Sequence, residues 1–98
     1  MSLPLILTPQ TDTDIAEAFA WYEDQSVGLG DDFIAELDAV FQRIRDYPEM
    51  YAVEHRNARR AGLRRFPYVV YYRINTTSIE ILGVMHGSRD PRSWLRRS

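Results

Sequence analysis

ARRAGLRRFPYVVYYRI, residues 58–74, is where the chain leaves a helical hydrophobic repeat for strict alternation. Tyr68, Val70, Tyr72 and Ile74 alternate with Val69, Tyr71 and Arg73, which predicts a strand with two distinct faces. Phe66 and Pro67 predict a tight turn between this strand and a basic strand before it, because proline fixes its own φ and donates no hydrogen bond. After the turn signal NTT at 75–77, SIEILGVMHG at 78–87 predicts a further strand.

Upstream the pattern is helical. PLIL at 4–7 has strand length and stops at Thr8 and Pro9, a capping residue followed by a proline suited to the first helical position. Ile15, Phe19 and Tyr22 recur at helical spacing and predict a helix over residues 9–26, broken by VGLG at 27–30. Phe33, Leu37, Val40, Phe41 and Ile44 form the stripe of a second helix. Asp31 and Asp32 near its start and Arg43 and Arg45 near its end complement the helix dipole, and Pro48 ends it. The expected fold class is α+β, in the order β-α-α-β-β-β. A helical hairpin lies on one face of a small, mostly antiparallel sheet, followed by a short C-terminal helix. The face away from the helices is expected to be open. At this length residues 1–98 are expected to form one domain.

ILGVMHGSRDPRSW, residues 81–94, joins the last strand to that terminal helix. Asp90 and Pro91 read as cap and first helical residue, Trp94 as a plug over the sheet edge, and Gly87 as the turn off the strand. His86 allows two readings. It is either a hydrogen-bonded structural residue or a general base, and its spacing to Arg89 and Asp90 does not require catalysis.

Composition narrows the function. The chain is 45% hydrophobic and 27% charged, typical of a folded protein. It has no cysteine, which excludes disulfides and thiolate metal sites and suits a cytoplasmic setting. The first ten residues lack the length of a membrane span and the basic start of a signal peptide. No phosphate-binding glycine loop, nucleophile elbow or local metal-ligand pair is present, so no cofactor and no metal are expected.

The net charge of −2 conceals an asymmetry. Residues 1–50 carry eleven acids against two arginines, a net −9, while residues 51–98 carry ten arginines against three acids, a net +7. All the basic residues are arginine, whose flat guanidinium suits carboxylate and phosphate recognition better than proton transfer. RNARRAGLRR, residues 56–65, concentrates them. On a strand Arg56, Arg60 and Arg64 would share one face, and Arg59 and Arg65 the other. The run is either a charged edge that resists aggregation or a recognition surface for acidic protein or nucleic acid. Few aromatic residues interleave with it, and no sequence-specific nucleic-acid binding is expected.

With LTPQTDTDIAEAF, RRFPYVVYYRI and ILGVMHGSRDPRSW in this order, nearly the whole chain resembles the ParE-type toxins of the RelE/ParE superfamily. These are the toxic halves of type II toxin–antitoxin pairs. The resemblance implies a helical hairpin on an antiparallel sheet and a small ParD-like antitoxin as partner. It also implies DNA gyrase as the target, poisoned by binding and without catalysis. The target- or antitoxin-binding residues would be Arg56, Arg59, Arg60, Arg64, Arg65, Arg89 and Trp21, although Trp21 also reads as ordinary core. The alternative is a RelE-like ribosome-dependent messenger RNase, with His86 as base and Arg64, Arg73 or Arg89 steadying a phosphate. A third possibility is an antitoxin-binding module without toxicity. The chain lacks lysine and any tyrosine after Tyr72, which separates it from the RNase branch.

Overall fold

A short strand, β1 (Leu5–Leu7), leads into two consecutive helices, α1 (Pro9–Gln25) and α2 (Leu29–Asp46). Four strands follow: β2 (Val53–His55), β3 (Ala58–Gly62), β4 (Tyr68–Ile74) and β5 (Ile79–His86). The computed structural model describes residues 3–90. Its five strands form one sheet in the order β1-β5-β4-β3-β2. β1 runs parallel to β5, and every other pairing is antiparallel. The predicted terminal helix, with Pro91 and Trp94, lies outside the described residues, as does the helical turn that Asp90 would cap.

Local chemistry sets the helix boundaries. Thr8 is extended and its hydroxyl oxygen accepts from the Thr11 N–H at 3.1 Å, while Pro9 occupies the first turn, where no N–H is needed. At the hairpin Gly28 adopts φ 88°, a conformation that costs a side-chain-bearing residue about 1–2 kcal/mol. The Glu23 carboxylate accepts from the N–H groups of Gly28 (2.9 Å) and Gly30 (3.0 Å), and so caps α2 from α1. Gly30 also lets the helices close. A Cβ there would lie 2.8 Å from both the Phe19 ring and the Phe19 carbonyl oxygen.

α2 buries the expected stripe of Phe33, Leu37, Val40, Phe41 and Ile44. α1 buries the expected Tyr22, but the rest of its inward face is Thr11, Asp14 and Ala18, while Ile15 and Phe19 are half-buried at the margins. An aromatic cluster joins helices to sheet, with Tyr22 and Phe66 centroids 4.8 Å apart and Phe33 packed on Phe66 and Tyr68 at 5.4 and 5.3 Å. Edge-to-face pairs of this kind add about 0.5–1.5 kcal/mol each beyond burial.

Three sheet features correct the sequence-based expectation. The segment before Gly62 is two strands: β2 and β3 meet across a tight turn at Arg56 and Asn57, with Arg56 at φ 52°. A bulge interrupts β4–β5, since Tyr71 pairs with Gly83 but Tyr72 pairs with Ile81, leaving Leu82 as the extra residue. Finally, the face away from the helices is not open. Ala58, Val69, Tyr71, Leu82 and Met85 form a second apolar cluster there, none of them more than 6% exposed.

Candidate functional site

The last strand ends at a structured corner. Tyr68 and His86 are register partners, and their rings meet edge-on with centroids 5.6 Å apart. The Gly87 N–H donates to the Pro67 carbonyl at 2.7 Å, so the predicted turn residues Pro67 and Gly87 hold the ends of β4 and β5 together. His86 Nδ1 accepts from the Ser88 N–H at 3.1 Å and lies 2.7 Å from the Ser88 hydroxyl. One ring nitrogen is thus engaged by the local turn.

Beside this corner a cleft of about 300 Å³ opens between α1 and the end of β5. Asp14, Glu17 and Trp21 form its helical wall, with Tyr68, His86 and Arg89 opposite. Trp21 is 58% exposed, so it is surface and not core. Burial pushes the Tyr68 phenol above its usual range, Arg89 pulls against that shift, and Asp14 and Glu17 add to it. The phenol therefore remains a hydrogen-bond donor through neutral pH. Sequence reasoning missed Tyr68, Asp14 and Glu17 as cleft residues. The one available signal was Asp14 lying on the inward spacing of α1 with Thr11 and Ala18.

The arginines are dispersed. Only Arg59 and Arg60 lie on β3, on opposite faces; Arg56 is in the turn before it, and Arg64 and Arg65 are in the loop after it, so the expected parity does not apply. Arg59 donates to the carbonyls of Glu49 (3.1 Å) and Tyr51 (2.7 Å) and clamps the segment after α2. Both backbone N–H groups of Arg64 and Arg65 donate to the Glu36 carboxylate. The Arg65 guanidinium lies 3.7 Å from Asp32, an exposed pair, and 5.6 Å from the centre of the Phe66 ring. Arg73 is fixed by Glu80 at 2.8 Å, directly across β4–β5. Arg73 is five residues along β4 from Tyr68, about 16 Å at strand rise, and so far from His86. The structure therefore joins His86 with Arg89 and separates both from Arg73. Arg56, Arg60, Arg64 and Arg89 are exposed, and none is in an ion pair among the described residues. The Arg60 guanidinium reaches the same corner, 3.5 Å from where a Cβ on Gly87 would stand.

At the other end of the sheet a shallower groove of about 780 Å³ is lined by Leu3, Arg45, Tyr47, Met50 and Ile74 among others. The Tyr72 hydroxyl fixes its wall by donating to the Pro48 carbonyl at 2.6 Å. Among the described residues no cluster of three or more His, Cys, Asp or Glu side chains could hold a metal ion. No helix among them is long and apolar enough to cross a membrane.

Comparison with known proteins places this geometry. The family model described as the ParE toxin of the type II toxin-antitoxin system, parDE, matches residues 5–91. Two curated relatives, each called Toxin ParE2, come from Mycobacterium tuberculosis strains CDC 1551 / Oshkosh and ATCC 25618 / H37Rv. Each is 36% identical over 81 residues, covering 82% of this chain and 77% of the relative. A solved structure described as the chromosomal ParDE TA system from P. aeruginosa has the same fold. It gives a TM-score of 0.76 at 16% identity, over 87% of this chain and 96% of the other.

Proposed function

Because the chain belongs to the ParE toxin family of type II toxin–antitoxin systems, we propose that it acts by docking on DNA gyrase and is silenced by a cognate antitoxin. In this reading the toxin forms and breaks no covalent bond of its own. Its contribution is a rigid scaffold that presents guanidinium groups, which engage carboxylates and phosphates in flat, two-pronged contacts.

The observation that carries the reading is the fate of the side chains an RNase would need. Arg73 is held by Glu80, Arg64 projects from a loop tied to Glu36, and His86 has Nδ1 engaged by Ser88. Phosphate-cutting chemistry requires an acid, a base and a cation within hydrogen-bond reach of one reacting centre. By contrast, the exposed Arg56, Arg60, Arg64 and Arg89 need no shared reacting centre to serve a docking surface. Such charges steer association more than they add affinity.

The test is a supercoiling assay with purified gyrase, plasmid DNA and this chain, with and without the antitoxin from the adjoining reading frame. Loss of supercoiling and accumulation of cleaved plasmid, both reversed by the antitoxin, are expected. Unchanged supercoiling at saturating folded toxin would remove gyrase as the target.

One observation favours the RNase reading enough to keep it testable: Tyr68, His86 and Arg89 share one cleft. It predicts cleavage of messenger on translating ribosomes that is lost on Arg89→Ala.

A further inference from the structure

α2 stops short of one end of the sheet. It finishes at Asp46, and the groove of about 780 Å³ opens where the chain turns away, beside Leu3 and Ile74. Tyr47 and Met50 stand on its border, 66% and 53% exposed. Val53, 51% exposed, belongs to the same side of the sheet: its register partner Arg59 pairs in turn with Tyr72, which is buried in the core shared with the helices. Apolar surface of this extent, on the order of a few hundred Å², marks an interaction site on a folded protein.

The backbone under this surface is fixed in advance. The Tyr72 hydroxyl holds the Pro48 carbonyl, and Arg59 holds the carbonyls of Glu49 and Tyr51, so little ordering is needed on binding. The nearby edge of β2 resists strand addition. Val53 pairs with Arg59 and His55 with Ala58, which leaves Glu54 as the extra residue of a bulge, and a bulge twists an edge away from pairing. A partner must therefore engage through side chains, and the rim states its charge. Arg45 and Glu49 are both exposed on the groove border, two positions either side of Tyr47, while the Asp46 carboxylate accepts from Gln42 at 3.0 Å. A partner of a single sign meets a like charge at one of the two. A second copy, turned about a two-fold axis beside Tyr47, sets Arg45 of each chain against the partner's Glu49.

We infer that this face is a two-fold contact between copies of the chain, in which the Tyr47 ring of each enters the groove of the other. The ring borders its own groove, so one rotation fills both grooves and the contact closes as a dimer instead of propagating into a fibre. Tyrosine, methionine and arginine are the residue types that protein interfaces favour. The apolar patch is smaller than the roughly 800 Å² per partner of a standard interface, which sets dissociation on the order of tens of micromolar. Arg60 and Arg89 gather at the other end of β4 and β5, beside Gly87 and His86, and lie outside the contact. The dimer therefore leaves the arginines of the proposed docking surface accessible and does not rest on that reading.

The experiment is sedimentation velocity on the purified, folded free chain from about 5 to about 500 µM, a range that brackets the expected dissociation constant. The average mass should climb from one chain toward two. Tyr47→Asp brings a charge to the apolar groove and should hold the mass at one chain throughout, at unchanged melting temperature because the side chain is exposed. Arg45→Glu and Glu49→Arg each set like charges opposite one another twice in a two-fold contact, and each should weaken the dimer about tenfold. The double variant exchanges the two signs and should restore the dimer to within about twofold of wild type. A chain that stays single at the highest concentration overturns the proposal, and so does a dimer that Tyr47→Asp leaves unchanged. A double variant no closer to wild type than the single ones overturns the two-fold charge pairing, and with it the choice of a second copy as the occupant.

Discussion

Asp14 and Val84, seventy positions apart, are joined by a hydrogen bond of 3.2 Å from the Val84 N–H to the Asp14 carboxylate. A buried side chain on α1 thus does for β5 what a neighbouring strand would otherwise do. Losing the acceptor leaves a buried N–H unsatisfied, which costs about 1–3 kcal/mol. Asp14→Ala should lower unfolding free energy in urea by that amount, and Asp14→Asn, which keeps an acceptor oxygen, should recover part of it.

The helical hairpin predicts a second cost. Gly30→Ala would drive a methyl to within 2.8 Å of the Phe19 carbonyl, a backbone atom that cannot swing aside. Overpacking of this kind costs about 1–3 kcal/mol. Gly28→Ala meets no neighbouring atom and is penalised only by its positive φ, so thermal melts should rank Gly30→Ala as the worse of the two.

Arginines of the same run should separate into two classes. Arg59→Ala frees the carbonyls of Glu49 and Tyr51 and should destabilise the fold by about 1–3 kcal/mol. Arg60→Glu and Arg89→Glu alter exposed side chains and should leave stability within about 0.5 kcal/mol. On the proposed function the latter two should slow association with the target by about tenfold at low salt, with the gap narrowing as salt rises.

The legible parts of this fold were those in which one physical signal dominated. The α2 stripe from Phe33 to Ile44 is purely apolar, so its period was readable and all five residues are buried. Thr8 and Pro9 announced the start of α1 by capping chemistry that is entirely local. α1 itself was misread at its inward face, because Thr11 and Asp14 are buried for hydrogen bonds to β5 that no local pattern encodes. β2 was missed since Val53, Glu54 and His55 are all exposed and show no alternation.

The candidate site was less legible than the fold. Its arginines were placed by assuming one continuous strand, whereas β3 ends at Gly62 and the turn at Arg56 reverses the chain. The bulge at Leu82 is likewise silent in sequence, yet it sets which backbone groups of β5 face outward.

Alkaline pH offers a check on the segment after α2. Burial pushes the Tyr72 phenol up to about 12, with Arg59 pulling against the shift and Tyr51 adding to it. A folded-state value above the unfolded one of 10.0 means that the stability it provides is complete below pH 10 and is lost as pH climbs toward 12. Tyr22 and Tyr68 are shifted in the same direction. The melting temperature should therefore fall steeply over this range. Tyr72→Phe should remove part of that slope while costing about 1 kcal/mol at neutral pH through the lost bond to Pro48.

The central claim is that this toxin acts by docking and carries out no chemistry. Its most direct test is the fraction of plasmid held as cleaved gyrase–DNA complex, titrated against wild-type toxin and His86→Ala in parallel. The account predicts that cleaved complex accumulates with toxin and that the two titrations coincide, since the imidazole transfers no proton. It would be contradicted if no cleaved complex formed while the wild-type chain cut messenger in a translation extract and His86→Ala did not.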